Sequence, residues 1–194
     1  MFIWVLLHMR IWDTASTNVD CHTTAGDFSI SLDRDLSPLG VDRFLELVSD
    51  KFFDDQIIYR VIPGFLMQFG VAAVPRQHAK WDRQRFEDEP RKQSFKHGTV
   101  SFAGGGRDSR SCHLFIAFSP NGLQLGNAPH ETPIGEVTSG IEVLDKIQSN
   151  YKAAGYADLT FLQNRIAAKG NSFVEGEYPK LDRFKWCRLA EGEL

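Results

Sequence analysis

Several features are scarce in this 194-residue chain, and each scarcity closes off a class of function. The formal net charge is -3 and no run of lysine or arginine occurs, so nucleic acid has no electrostatic footing here. Cysteine is limited to Cys21, Cys112 and Cys187, which form neither a zinc spacing nor a dense disulfide framework. Cys21-His22 and Cys112-His113 are neighbours in strand-like stretches, where adjacent side chains point to opposite faces and cannot chelate as a unit. No metal and no cofactor is therefore expected. Hydrolase signatures are missing too: there is no Gly-x-Ser-x-Gly elbow and no His-Glu-x-x-His helix. No long hydrophobic run is present, since the apolar start at residues 1–9 is too short to cross a bilayer. It reads as an extra strand, with the remnant of a signal-anchor as the other reading, so residues 1–16 are set apart as an extension and 17–194 as a single domain. The compartment stays open between the cytoplasm and, if the start is such a remnant, the secretory lumen.

What the chain does have is an ordinary globular composition, with 42% hydrophobic residues, 24% charged residues and 15 phenylalanines for an aromatic-rich interior. Residues 18–24 and 27–33 read as a β-hairpin, with Phe28, Ile30 and Leu32 alternating against polar neighbours. Ser37 reads as an N-cap and Pro38 as the first residue of a helix whose apolar positions are Val41, Phe44, Leu45 and Val48. Next come Ile57, Ile58, Val61 and Ile62 as one strand, Pro63-Gly64 as a turn and residues 65–69 as a second strand. Residues 75–85 are polar and aperiodic and read as a surface loop. Residues 99–103, 112–118, 132–137 and 182–189 read as strands, and helices are expected after Thr138-Ser139 and after Asp158, the latter stopping at Gly170. Ala103-Gly104-Gly105-Gly106 is no phosphate cradle, because no Lys-Ser/Thr pair and no helix follow it. Many short strands, few helices and no βαβ alternation point to an antiparallel sheet or barrel flanked by helices.

Two positions call for chemistry. Arg60 stands in the middle of an apolar strand, where a guanidinium must either reach water or line a polar hollow. In the strand at 112–118, alternation puts His113, Phe115 and Ala117 on one face, an imidazole beside a phenyl ring.

These residues carry a resemblance. Phe52-Phe-Asp54, Tyr59-Arg-Val-Ile-Pro-Gly-Phe-Leu-Met-Gln-Phe-Gly70, Phe86-Glu-Asp-Glu89, Ser101-Phe-Ala103, Leu114-Phe-Ile116, Ile134-Gly-Glu-Val137 and Cys187, in that order, resemble the cyclophilin-type peptidyl-prolyl cis-trans isomerases over residues 17–189. The resemblance implies a mainly β fold, a closed antiparallel eight-stranded barrel capped by two or three α-helices, with the site on the outer barrel face. It implies Arg60 as the catalytic arginine, Phe65 and Phe115 as walls of a proline pocket and Gln68 as a hydrogen-bonding glutamine. His113 stands where the family has glutamine and Leu66 where it has methionine. Ala103, Gly104 and Gly105 replace an Ala-Asn-Ala segment that holds the substrate backbone. His130 matches a pocket-edge histidine, and Leu123 or Leu125 takes the place of a missing pocket tryptophan, so binding of cyclosporin is expected to be weak. Implied partners are proline-containing polypeptides, met by a monomer. The implied function is isomerisation of X-Pro bonds, with a catalytically weak, proline-binding module as the alternative. The resemblance also places Cys21 and Cys187 on neighbouring strands, where an oxidising compartment would join them. The segment at 158–179 is longer than compact relatives need, and reads as a partner contact or a tolerated insertion.

Overall fold

The computed structural model describes residues 16–118, 125–147 and 159–192. Residues 1–15 of the extension at 1–16, Leu123 and the expected cap Asp158 lie outside the described residues.

Among the described residues nine strands form one antiparallel sheet: β1 (Thr17–Thr23), β2 (Asp27–Leu32), β3 (Gln56–Ile57), β4 (Arg60–Ile62), β5 (Leu66–Phe69), β6 (Thr99–Phe102), β7 (Leu114–Ala117), β8 (Pro133–Ser139) and β9 (Arg183–Leu189). Their lateral order is β3-β9-β1-β2-β8-β6-β7-β5-β4. The two ends of that order, β3 and β4, are consecutive in the chain with only Ile58 and Tyr59 between them. Residues 56–62, expected as one strand, are thus a strand bent in two, whose halves pair with opposite edges and bring the sheet round on itself. Counted as one, they give the eight staves of the expected barrel.

Alternation along the strands sends one set of side chains inward. Met67 and Phe69 of β5, Leu114 and Ile116 of β7, and Val100 and Phe102 of β6 join one buried cluster with Val41, Phe44, Leu47 and Val48 of helix α1 (Pro38–Ser49), which stops one end of the barrel. A disulfide joins Cys21 of β1 to Cys187 of β9, two residues directly paired across the ladder.

Helix α1 begins at Pro38 as expected, but Ser37 does not cap it. Glu89 reaches in from a distant loop and accepts the backbone N–H groups of Leu39 at 2.9 Å and Gly40 at 3.2 Å, while Ser37 Oγ donates to the same carboxylate. Arg110, fully buried, pairs with Glu89 at 3.1 Å and also donates to the Glu87 carbonyl.

Two further expectations are corrected. The stretch read as a loop at 75–85 contains helix α2 (Pro75–Asp82), for which Pro75 supplies a preset first residue. Its amphipathicity rests on two buried residues one turn apart, His78 and Trp81, too few to register as a periodic pattern. Trp81 Nε1 donates to Asp50 at 2.6 Å and Gln77 donates to the Asp50 carbonyl, tying α2 to the C-terminal end of α1. Second, Thr138 and Ser139 end β8 rather than cap a helix; the short α3 (Ile141–Leu144) starts after Gly140, whose φ of 70° is the left-handed conformation.

The late segment is two helices, α4 (Leu159–Lys169) and α5 (Asn171–Glu177), separated by Gly170. Leu162, Ile166 and Val174 pack with Ile57, Tyr59, Val71 and Leu181 in a cluster of their own, so this insertion covers the bend between β3 and β4. Among the described residues no helix is long and apolar enough to cross a membrane.

Candidate functional site

The site is built by cross-strand register. Arg60 of β4 pairs with Gln68 of β5, Gln68 with Phe115 of β7, and Phe115 with Ser101 of β6, so four residues from four strands form one row on the outer face. The next row along holds Ile62, Leu66 and Ala117. Arg60 Nη1 donates to Gln68 Oε1 at 3.1 Å, which aims the guanidinium along the row. Gln68 itself is 9% exposed, and its immobility makes it a good orienter.

Beside that row lies a compact apolar patch separate from the interior. Leu66, Phe115, Ala117, Leu125 and Phe95 are buried together, and Phe65 and Ala103 pack against them. Phe95 stacks on Phe115 with ring centroids 5.6 Å apart and planes 18° from parallel. Phe95 was not among the residues singled out from sequence. Its one signal is that it stands as a lone aromatic in the polar run at 90–97.

The glycine loop closes the far side. A Cβ on Gly104 would lie 2.8 Å from Cγ of His130, so the absence of a side chain lets the His130 ring sit against the loop backbone. Gly105 N–H donates to Ser109 Oγ at 2.8 Å, and Ser109 Oγ donates to the Gly106 carbonyl at 2.6 Å. Nδ1 of His130 is buried without a hydrogen-bond partner. The structure thus brings Arg60, Gln68 and Phe115 into one row, gathers Phe65, Leu66, Ala103, Phe115 and Leu125 in the patch beside it, and places Gly104 and His130 against each other.

His113 is on the same face but is turned to other partners. It sits one residue before β7, its Nδ1 is 3.3 Å from Tyr59 Oη and its Nε2 is 3.3 Å from Asp82 Oδ1. Tyr59 Oη donates to the Phe69 carbonyl at 3.3 Å and accepts from Gln163 Nε2 at 2.8 Å. The phenol has a single proton and stands 3.3 Å from both the Phe69 carbonyl and His113 Nδ1. Burial holds the Tyr59 phenol above its ordinary value, which keeps that proton in place. The His78 ring stands edge-on to His113 with centroids 5.6 Å apart. Burial, and then the neighbouring His113, pushes the His78 imidazole down to about 4. The Asp82 carboxyl is lowered, chiefly by the His113 hydrogen bond. Cys112, beside His113, is a buried free thiol pushed up to about 12 by burial, and its Sγ donates to the Gly70 carbonyl.

Comparison with known proteins identifies the family. Residues 18–166 match the family described as cyclophilin type peptidyl-prolyl cis-trans isomerase/CLD. The chain is 33% identical to peptidyl-prolyl cis-trans isomerase A of Dickeya dadantii over 138 residues, 69% of this chain and 72% of that protein. It is 30% identical to peptidyl-prolyl cis-trans isomerase CYP18-1 of Arabidopsis thaliana over 167 residues, 79% of this chain and 97% of that protein. The crystal structure of a cyclophilin-type isomerase from Cryptosporidium parvum shares the fold, with a TM-score of 0.61 and 20% identity over 91% of this chain and 99% of that one. The same protein was also solved in the presence of the dipeptide Ala-Pro.

Proposed function

The chain belongs to the cyclophilin-type peptidyl-prolyl cis-trans isomerase family, and we propose that it isomerises X-Pro bonds in the groove between β4, β5 and β7, with Arg60 as the group that acts on the rotating bond. One observation carries the assignment of roles: a guanidinium oriented by Gln68 stands in the same cross-strand row as Phe115, whose ring belongs to a separate apolar patch.

An X-Pro bond resists rotation because the prolyl nitrogen shares its lone pair with the carbonyl, a barrier of roughly 18 to 20 kcal/mol. No covalent bond has to break. As the bond twists, the lone pair localises on nitrogen, and a fixed cationic donor aimed there stabilises the twisted state more than either planar state. Arg60 is that donor. Phe65, Leu66, Phe95, Phe115 and Leu125 hold the proline ring by apolar contact, while the backbone at Ala103, Gly104 and Gly105 holds the preceding peptide, so that one side turns against the other. Leu125, buried in the patch, supplies apolar bulk but no indole donor, which supports weak binding of cyclosporin.

A protease-coupled isomerisation assay on an Ala-Pro peptide, comparing the wild-type chain with Arg60→Ala, tests the assignment. The wild type is expected to accelerate exchange and the variant to bind the same peptide, by titration, with little catalysis. Binding without catalysis in the wild type would replace this reading with a proline-recognition module.

A further inference from the structure

His113, two residues before Phe115, belongs to a cluster that the isomerase chemistry does not use. His78 and Asp82 are four residues apart on α2 and so share one helix face, and His113 reaches them from the start of β7. Each offers one ligand atom, and the three atoms lie within 4.8 Å of one another. We propose that His78, Asp82 and His113 form a binding site for a divalent d-block ion, Zn2+ being the best match, at the edge of the groove.

The chemistry of the donors selects the ion. Two imidazoles and one carboxylate suit Zn2+ and its neighbours, whereas Mg2+ and Ca2+ prefer oxygen-only shells. Bonds of about 2.1 Å in a tetrahedral shell put neighbouring ligand atoms about 3.4 Å apart. Asp82 Oδ1 and His113 Nε2 are already 3.3 Å apart. The third ligand atom, on His78, lies within 4.8 Å of both. Three protein ligands leave a fourth position for water or another small ligand.

The surroundings are arranged as metal sites usually are. Tyr59 Oη meets His113 Nδ1 at 3.3 Å, which leaves Nε2 turned to the Asp82 carboxylate at 3.3 Å. Tyr59 is in turn held by Gln163 of α4, so the insertion that covers the β3–β4 bend also orients this histidine. His78 is 7% exposed and fixed in the wall of α2, while Asp82 is half exposed and open to an arriving ion. The reading does not rest on the isomerase assignment, because no residue of the cluster belongs to the Arg60–Gln68–Phe115 row.

The test is a zinc titration of the chelator-treated full chain against a chromophoric zinc indicator, with the disulfide left oxidised. One ion per chain at micromolar affinity or tighter is expected, with no competition from a large excess of Mg2+. Asp82→Asn and His78→Gln should each weaken binding at least about tenfold, and Tyr59→Phe, which leaves all three ligands in place, by roughly tenfold through loss of the orienting bond. His22→Ala, at a histidine paired with Asp27 elsewhere on the sheet, should change nothing. Circular dichroism of each variant confirms that it is folded before it is titrated. Absence of zinc binding by the wild type, or unchanged affinity in folded Asp82→Asn, overturns the proposal.

Discussion

Two arginines sit on this barrel in opposite circumstances. Arg110 is completely buried, between Glu89 at 3.1 Å and Asp88 at 3.7 Å, with its guanidinium over the Phe86 ring. Arg60 is half-buried at the rim of the groove and is held by the neutral amide of Gln68. Charge satisfied by carboxylates in the interior locks a structure: Glu89, kept in place by Arg110, is also the group that caps α1. Charge oriented by an amide at a surface groove keeps its field directed at whatever enters the groove. The same side chain is therefore structural in one place and chemical in the other, and partner and burial decide which.

The comparison is sharpened first at Arg110. Arg110→Met keeps much of the bulk but leaves Glu89 and Asp88 as buried acids without their counter-ion, and urea denaturation should show a loss on the order of 3 to 5 kcal/mol. The molecules still folded should isomerise at the wild-type rate. At Arg60 the pattern should invert: Arg60→Ala should lower kcat/KM about 100-fold or more, roughly 3 kcal/mol of transition-state stabilisation, and shift the denaturation midpoint by less than about 1 kcal/mol. A stability loss at Arg60 as large as that at Arg110 would break the distinction.

A smaller effect follows from acid. In chelator-treated protein, the folded His78 imidazole titrates near 4 against 6.5 for the free side chain, so the unfolded chain takes up the proton first. Its contribution is full above about pH 6.5 and is lost as pH falls toward 4, on the order of 2 kcal/mol. The lowered Asp82 carboxyl acts in the same direction but only below its ordinary 3.8, so it leaves the window from pH 7 to 4 to His78. Thermal melts between pH 7 and 4 should therefore show a slope that His78→Gln reduces. The smallest effect is at Phe95: Phe95→Leu removes the stack on Phe115 and should raise KM for a prolyl peptide a few-fold, about 1 kcal/mol or less, with kcat nearly unchanged.

Much of this molecule was legible before any coordinates. The hairpin of β1 and β2, the start of α1 at Pro38 and the shared face of His113 and Phe115 follow from short-range rules, because alternation and turn chemistry act between residues close in the chain. The resemblance then supplied the barrel and the row of Arg60, Gln68 and Phe115. Helix α2 escaped because only His78 and Trp81 are buried on it, and the cap of α1 escaped because Glu89 arrives from some fifty residues away. Phe95 escaped because a lone aromatic in a polar run has no period.

The sequence by itself determined which residues could be inward or outward, since that depends only on spacing along each strand. It also placed the cation Arg60 and the aromatic Phe65 in the motif at 59–70 and Phe115 in the strand at 112–118. Only the tertiary structure decided which of those residues meet, because pairing partners such as Gln68 and Phe115 are set by ladder register between distant segments. It also decided that His113 turns toward Tyr59 and Asp82. That choice depends on a helix the pattern hides and on an insertion whose Gln163 reaches back more than a hundred residues to hold the tyrosine.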